Sequence, residues 1–228
     1  MFKTTLDLLN SFSILTVEDD SVTRLMLKQS IKEHCAAYYE AKDGLDGIEA
    51  FKKRKIDLII LDIHLPRLNG FEMIKEVLAL KPNQPFVVIT AYDNNQNILD
   101  SIKTGALSFI RKPIDITDLQ TAILLALSKK MKQKHMKISD EVTLDFAKEV
   151  IYNNNEPLFL TQISNKIFWL LCYNIGRLVS YEMIEDYAYE GESTNKNTIH
   201  AVILRIKKQL KDIDIENIPN VGYILKKK

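Results

Sequence analysis

Up to about residue 128 the chain alternates short β-rich apolar runs with amphipathic helical stretches, the pattern of strand-helix-strand units built around a parallel sheet. Strands are predicted at Ser13–Val17, Ala37–Glu40, Asp57–Leu61, Phe86–Thr90 and Leu107–Ile110. Helices are predicted near Val22–His34, Leu45–Lys53, Phe71–Leu80 and Asn94–Thr104, with a last one from Asp115 to about Lys130. Gly44, Gly70 and Gly105 punctuate the turns. Five strands and five helices in this order make an α/β fold, a doubly wound five-stranded parallel sheet. The pattern then changes. Short strands are expected at Val142–Asp145, Val150–Tyr152 and Pro157–Leu160, around the turn Asn153–Glu156. Helices follow at Thr161–Tyr173, Tyr181–Tyr187 and Asn195–Leu210, and a final hairpin pairs Ile213–Ile215 with Tyr223–Leu225.

Helices followed by a hairpin predict an α+β winged-helix domain. At 228 residues two domains are the better division. The expected boundaries are an N-terminal extension at 1–12, a first domain at 13–128, a basic linker at 129–137 and a second domain at 138–228. A net charge of +1 sets up no global field, so any nucleic-acid surface must be local. The N-terminal stretch lacks the long apolar region of a signal peptide. Apolar segments such as Ala122–Leu127 fall short of the ~18 residues of a membrane span. The expectation is a soluble cytoplasmic protein with no membrane partner. Cys35 and Cys172 lie in apolar patterns in different halves and read as reduced packing residues.

The chemistry concentrates at predicted strand ends, where open α/β sheets bind their ligands. Asp62 closes the apolar run Ile56–Leu61, and three other strand ends carry Glu18-Asp19-Asp20, Thr90-Ala91 and Lys112-Pro113. Crowded acids need a cation, and hard Mg²⁺ takes one or two carboxylates beside water and phosphate oxygens. Asp19 and Asp62 are the assigned carboxylates, with the backbone carbonyl of His64 as a third protein oxygen and Glu18 acting through water. The metal would offset repulsion between an anionic phosphoryl donor and Asp62 as nucleophile. The Thr90 hydroxyl and Lys112 ammonium would surround the equatorial oxygens of the transferred group. Taken singly, each motif has a plainer explanation: a strand-end Asp caps turns, Lys-Pro marks loops, and Glu-Asp-Asp begins helices. Their ordered co-occurrence at four strand ends favours the phosphoryl site.

These residues resemble the receiver domain of two-component response regulators, a flavodoxin-like fold, over about Ser13–Leu127. The matched pieces are Glu18-Asp19, Asp62, Thr90-Ala91, Phe109 and Lys112-Pro113. The resemblance implies that a sensor histidine kinase phosphorylates Asp62, that the Thr90 hydroxyl then moves to the phosphoryl group, and that Phe109 turns inward. Phe109 lacks the hydroxyl of the tyrosine common there. An aspartyl phosphatase would carry a second acid where His64 stands. His64 and Tyr92 flank the approach to Asp62 and are expected to slow attack by water.

The second half looks like the effector domain of the OmpR/PhoB family, over about Ile138–Lys226, through Val142–Asp145, Glu156–Thr161, Asn174–Ser180 and Asn220–Leu225. The resemblance implies that its third helix enters the major groove and the hairpin reaches the neighbouring minor groove. Ile199, Ile203, Ile206 and Leu210 recur at helical spacing and should face the core. Lys196, Arg205, Lys207, Lys208 and Lys211 suit phosphates. Asn197, His200, Ala201, Leu204 and Arg205 are candidate base readers, and Thr194 begins the helix or touches a phosphate. The plainer reading of each lysine is a solvated helix face. Val202 and Leu204 stand where many members carry histidine and arginine. Residues 137–228 hold twelve Lys and Arg against thirteen Asp and Glu, so a monomer should bind DNA weakly. Specific binding would need two copies on a repeated site, or apolar contact with thymine methyls. Receivers of this family commonly pair, but the usual ion pairs are partly missing around Gly105–Phe109 and Thr121-Ala122, and Leu107 offers an apolar contact instead.

The sequence thus reads as a phosphoacceptor and transcription factor rather than a substrate-turning enzyme. Its expected cofactor is Mg²⁺. Its expected partners are a sensor histidine kinase, promoter DNA, a second copy on activation and RNA polymerase. The competing reading keeps the receiver and makes the second domain a protein-binding module.

Overall fold

The computed structural model describes residues 9–91, 105–106, 108–132, 135–146 and 148–228, with backbone alone at 129–132. The chain divides into two compact units, one of residues up to Ala79 and Asn83–Lys129, the other of Leu80–Pro82 and Lys130–Lys228.

The first unit is a five-stranded sheet of β1 (Ser13–Val17), β2 (Ala37–Ala41), β3 (Leu58–Asp62), β4 (Phe86–Thr90) and β5 (Ser108–Arg111) in the order β2-β1-β3-β4-β5. All neighbours pair in parallel. A parallel sheet is covered on both faces, which explains why β3 and β4 are unbroken apolar runs rather than alternating ones. The strand order reverses beside β1, so the carboxyl ends of β1 and β3 open onto a crevice. Helices α1 (Ser21–Ile31), α2 (Gly44–Lys53), α3 (Gly70–Leu80) and α4 (Ile116–Lys132) surround it. Asp20 caps α1 by accepting from the Thr23 amide at 2.7 Å, an interaction worth about 1 kcal/mol. The expected first helix ran to His34; Lys32–His34 instead tighten into a 3₁₀ turn. The helix expected at 94–104 lies outside the described residues. Leu9 and Phe12, assigned to an extension, are 1% and 5% exposed and belong to this core.

The basic stretch expected as a linker is partly ordered into elements: α4 continues through Lys132, and Met136–Lys137 form β6. In the second unit β6, β7 (Val142–Asp145), β8 (Val150–Asn153) and β9 (Glu156–Leu158) make an antiparallel sheet in chain order. Helices α5 (Gln162–Tyr173), α6 (Tyr181–Ala188) and α7 (Lys196–Gln209) follow. A second sheet, β10-β12-β11, joins β10 (Val179–Ser180) to the hairpin of β11 (Asp214–Ile218) and β12 (Gly222–Lys226). This is the helix-and-hairpin arrangement of a winged helix. Trp169 on α5 anchors the core, with Phe146, Phe168 and Tyr173 around it. Ile199, Ile203, Ile206 and Leu210 are all buried as their spacing predicts, and each aliphatic side chain so placed contributes about 1.5–3 kcal/mol.

Candidate functional site

Three strand ends and their exit loops bring the predicted pocket together. Val17 at the end of β1 pairs with Leu61, one residue before Asp62. Asp62 pairs with Ile89, one residue before Thr90. Thr90 pairs with Arg111, one residue before Lys112, and the Lys112 amide donates to the Thr90 carbonyl at 2.9 Å. Parallel register therefore sets Glu18-Asp19, Asp62, Thr90 and Lys112 side by side. The Lys112-Pro113 peptide bond is cis. Gly70 is required behind Asp62: a Cβ there would lie 2.2 Å from the Asp62 carbonyl oxygen.

Carboxylate oxygens of Glu18, Asp19 and Asp62 lie within 4.8 Å of one another. Glu18 is 1% exposed, Asp62 is buried and Asp19 is open to solvent. The Lys112 ammonium donates to Asp62 Oδ2 at 2.5 Å and to Glu18 Oε1 at 2.8 Å. Burial pushes the Glu18 carboxyl up; the Lys112 hydrogen bond opposes this, and the Asp62 charge adds to the rise. Burial would lower Lys112, but the bonds to Asp62 and Glu18 prevail and raise it above its ordinary value. The lysine is thus a fixed cation between two acids. Glu18 Oε2 is buried and accepts no hydrogen bond among the described residues. An all-oxygen donor set with one orphaned buried oxygen fits a hard divalent cation.

The His64 side chain points to solvent while its amide donates to Asp62 Oδ1 at 3.0 Å, fixing the carboxylate from the loop side. Thr90 is 2% exposed, whereas Phe109 is 40% exposed and so faces outward. Ala91 is exposed, leaving room at the mouth of the pocket. Tyr92 and Leu107 lie outside the described residues. One contributor was not anticipated: Arg24 Nη1 donates to the carbonyls of Glu18 at 2.7 Å and Asp19 at 3.1 Å, holding the loop that carries both acids. Its signal was faint, a lone arginine in the first turns of an otherwise mixed helix.

On α7 the buried stripe leaves Lys196, Asn197, His200, Ala201, Leu204, Arg205, Lys207 and Lys208 exposed, with Lys211 exposed just beyond the helix. Thr194 does not begin the helix; Asn195 is the cap, accepting from the Asn197 amide, and the Thr194 amide donates to Glu185 at 3.3 Å. Asn195 won because its short amide side chain reaches back to the free N–H groups. Two of the candidate DNA contacts, one base reader and one phosphate contact, are tethered. His200 Nδ1 is 3.1 Å from the Tyr223 hydroxyl of the wing, and Lys196 Nζ lies 5.2 Å from the centre of the Tyr181 ring. Tyr181 and Tyr223 fall at the starts of the expected helix and hairpin strand, and nothing local in the sequence marks the partners of either ring. Lys226 and Lys228 are occupied by Glu216 and Asp212, each at 2.7 Å. The concentrated positive surface of this unit therefore lies on α7, suited to anionic phosphates.

Residues 14–124 match the response regulator receiver domain family, and residues 155–225 match the C-terminal domain of transcriptional regulatory proteins. The transcriptional regulatory protein RprY of Bacteroides fragilis is 28% identical over 230 residues, covering 96% of this chain and 97% of its own. The response regulator ArlR of Staphylococcus aureus is 27% identical, covering 93% of this chain and 99% of its own. Among solved structures, a CheY-like receiver domain protein from Methanospirillum hungatei is 26% identical with a TM-score of 0.51, over 54% of this chain and 98% of its own. Both the order of the two domains and their near-complete span match these relatives. The chain belongs to the two-component response regulators that join a receiver to an OmpR/PhoB-type transcriptional regulatory domain.

Proposed function

We propose that a sensor histidine kinase transfers a phosphoryl group to Asp62 and that this modification controls how α7 and the β11-β12 wing bind promoter DNA. The observation that carries the reading is the meeting of Asp62, Glu18, Asp19 and Lys112 in one crevice. An Asp62 oxygen attacks the phosphorus of the donor phosphohistidine, and the histidine nitrogen leaves with the bond electrons. Asp19, Asp62, the His64 carbonyl and, through water, Glu18 would hold Mg²⁺, which when bound offsets the charge of donor and acceptor. Lys112 turns from its carboxylate partners toward the incoming oxygens, and Thr90 supplies a hydroxyl. Thr90 and Phe109 then act as the switch, the buried hydroxyl following the phosphoryl group and the outward ring turning in.

In the second domain Lys196, Arg205, Lys207, Lys208 and Lys211 engage phosphates, while Asn197, His200, Ala201 and Leu204 face the bases. Two copies on a repeated site supply the affinity that a near-neutral domain lacks, and RNA polymerase is the downstream partner. The protein acts in the cytoplasm and holds its phosphate stoichiometrically instead of turning over substrate. The match to a transcriptional regulatory domain weighs against a protein-binding output.

The test is selection from a randomised duplex DNA pool at fixed salt, with and without Mg²⁺ and beryllofluoride. A repeated half-site strengthened by the phosphoryl mimic is the expected result. Equal enrichment without it removes Asp62 from the control of binding, and no enrichment in either arm shifts the output to another partner.

A further inference from the structure

Between β3 and α3 the chain makes a closed loop, Ile63–Asn69, sealed where the Gly70 amide donates to the Ile63 carbonyl at 2.9 Å. This loop carries His64, whose amide holds Asp62. At its far end Arg67 has φ +62, a left-handed backbone that a side chain with a Cβ disfavours, and the Leu68 amide closes a three-residue turn on the Pro66 carbonyl at 2.7 Å. Glycine would meet that backbone without strain. An arginine there is explained by its side chain. Nε and Nη2 both donate to Asp43 Oδ2, at 2.8 and 2.5 Å, and Nη2 also reaches Asp46.

Asp43 is buried and is at the same time the cap of α2, accepting from the Asp46 amide at 2.9 Å. The loop also lies hard against that helix start: a Cβ on Gly44 would sit 2.2 Å from the Leu68 carbonyl oxygen. Burial pushes the Asp43 carboxyl up, but the Asp46 amide and the Arg67 guanidinium outweigh it and leave it below the ordinary carboxylate range. Arg67 therefore ties the loop to the start of α2 through a carboxylate that is itself fixed.

We propose that Arg67 is a positioning residue of the phosphoacceptor site: its clamp on Asp43 and Asp46 holds the Ile63–Asn69 loop in the conformation that presents His64 to Asp62 and to a divalent cation. This rests on the reading of Glu18, Asp19 and Asp62 as a cation site. The clamp acts on an outer layer of the site, where removing a partner that orients a ligand weakens metal binding by about 10–100-fold.

The experiment is Mg²⁺ titration of the full-length protein by calorimetry, together with amide hydrogen exchange at His64 and Gly70 in the absence of metal. The variants are Arg67→Gly, Arg67→Lys and Asp43→Asn. Arg67→Gly relieves the backbone while deleting the clamp, so a residue that merely fills a turn would keep or gain stability with unchanged affinity. Asp43→Asn keeps the helix cap while weakening the ion pair. The expected result is an Mg²⁺ affinity about tenfold weaker for Arg67→Gly, in line with the lower end of that range. The same variant exchanges His64 and Gly70 faster, Asp43→Asn falls in the same direction, and Arg67→Lys recovers part of the loss. The double variant Arg67→Gly/Asp43→Asn is no worse than Arg67→Gly alone, as expected of two halves of one contact. Wild-type affinity and exchange in Arg67→Gly overturn the proposal while leaving the cation site standing. Failure of the wild type to bind Mg²⁺ overturns both.

Discussion

Lys112 Nζ lies 2.5 Å from Asp62 Oδ2 and 2.8 Å from Glu18 Oε1, so one ammonium is shared between two acids and is held closer to Asp62. Two consequences of opposite sign follow from one substitution. In Lys112→Ala the acids lose their internal cation, and Mg²⁺ affinity rises by on the order of tenfold because the metal no longer competes with an ammonium. Beryllofluoride binding falls, because the anion loses its cationic partner. Calorimetric titrations with Mg²⁺ alone and then with the mimic separate the two; a drop in both would mean that the lysine chiefly holds the crevice open.

Phe109 is exposed and Thr90 buried in this conformation, so the aromatic ring is free to change surroundings while the hydroxyl is already inside. Phe109→Ala should leave beryllofluoride affinity unchanged and abolish the mimic's effect on DNA affinity. A gel-shift series with the selected half-site checks it. Retention of the effect would move the coupling to another group.

Leu204 is 53% exposed on the outward face of α7, with Ala201 and Asn197 on the same side. Replacing thymine by uracil within the selected site removes a single methyl without altering hydrogen bonding. If Leu204 packs on that methyl, the substitution weakens binding about fourfold, the equivalent of ~0.8 kcal/mol for a buried methyl-sized group. Leu204→Ala should bind both DNAs alike. Equal loss on uracil for both proteins would assign the methyl to another side chain.

Asp212 ties the end of the chain to the second domain. Its hydrogen bonds to Lys228 and Ser139 bring its carboxyl down to about 2. The native state therefore holds this proton less tightly than the unfolded chain, whose carboxyl titrates near 3.9. The interaction contributes fully above about pH 4 and is lost as pH falls through the native value. Thermal melts of wild type and Asp212→Asn should differ at pH 7 and converge toward pH 2. A constant offset across that range would exclude the ionised carboxylate as the cause.

The pocket was legible because its chemistry is tied to strand ends. The burial that makes β3 an apolar run also makes Asp62 conspicuous at its close, and parallel register then sets Thr90 and Lys112 beside it. The limits of the five strands of the first sheet were legible within a residue for the same reason, whereas β9 ends two residues earlier and β11 three residues later than expected. What the sequence concealed were contacts between side chains far apart in the chain. Nothing local tells Arg67 that Asp43 waits 24 positions earlier, or His200 that Tyr223 closes on it from the wing. Thr194 misled because threonine is also a good cap; Asn195, one residue on, satisfied the free amides first. Lys207 and Lys208 were readable as basic but ambiguous in purpose, since cations in a last helical turn also favour the helix dipole.

Leu9 and Phe12 precede β1, and so enter the first domain at the amino edge of the sheet, opposite the edge that carries Asp62. They act as a stopper: a short 3₁₀ turn at 9–11 and the residue after it close the apolar core with two buried side chains that lie outside the five strands. A receiver fragment cut at Ser13 would be missing two side chains from its hydrophobic interior, at a cost of about 3–5 kcal/mol for the phenylalanine alone. It would melt at a lower temperature while keeping the cluster of Glu18, Asp62 and Lys112 on the far side. The apolar closure by Leu9 and Phe12 and the cluster of Glu18, Asp19 and Asp62 thus lie at opposite rims of one sheet.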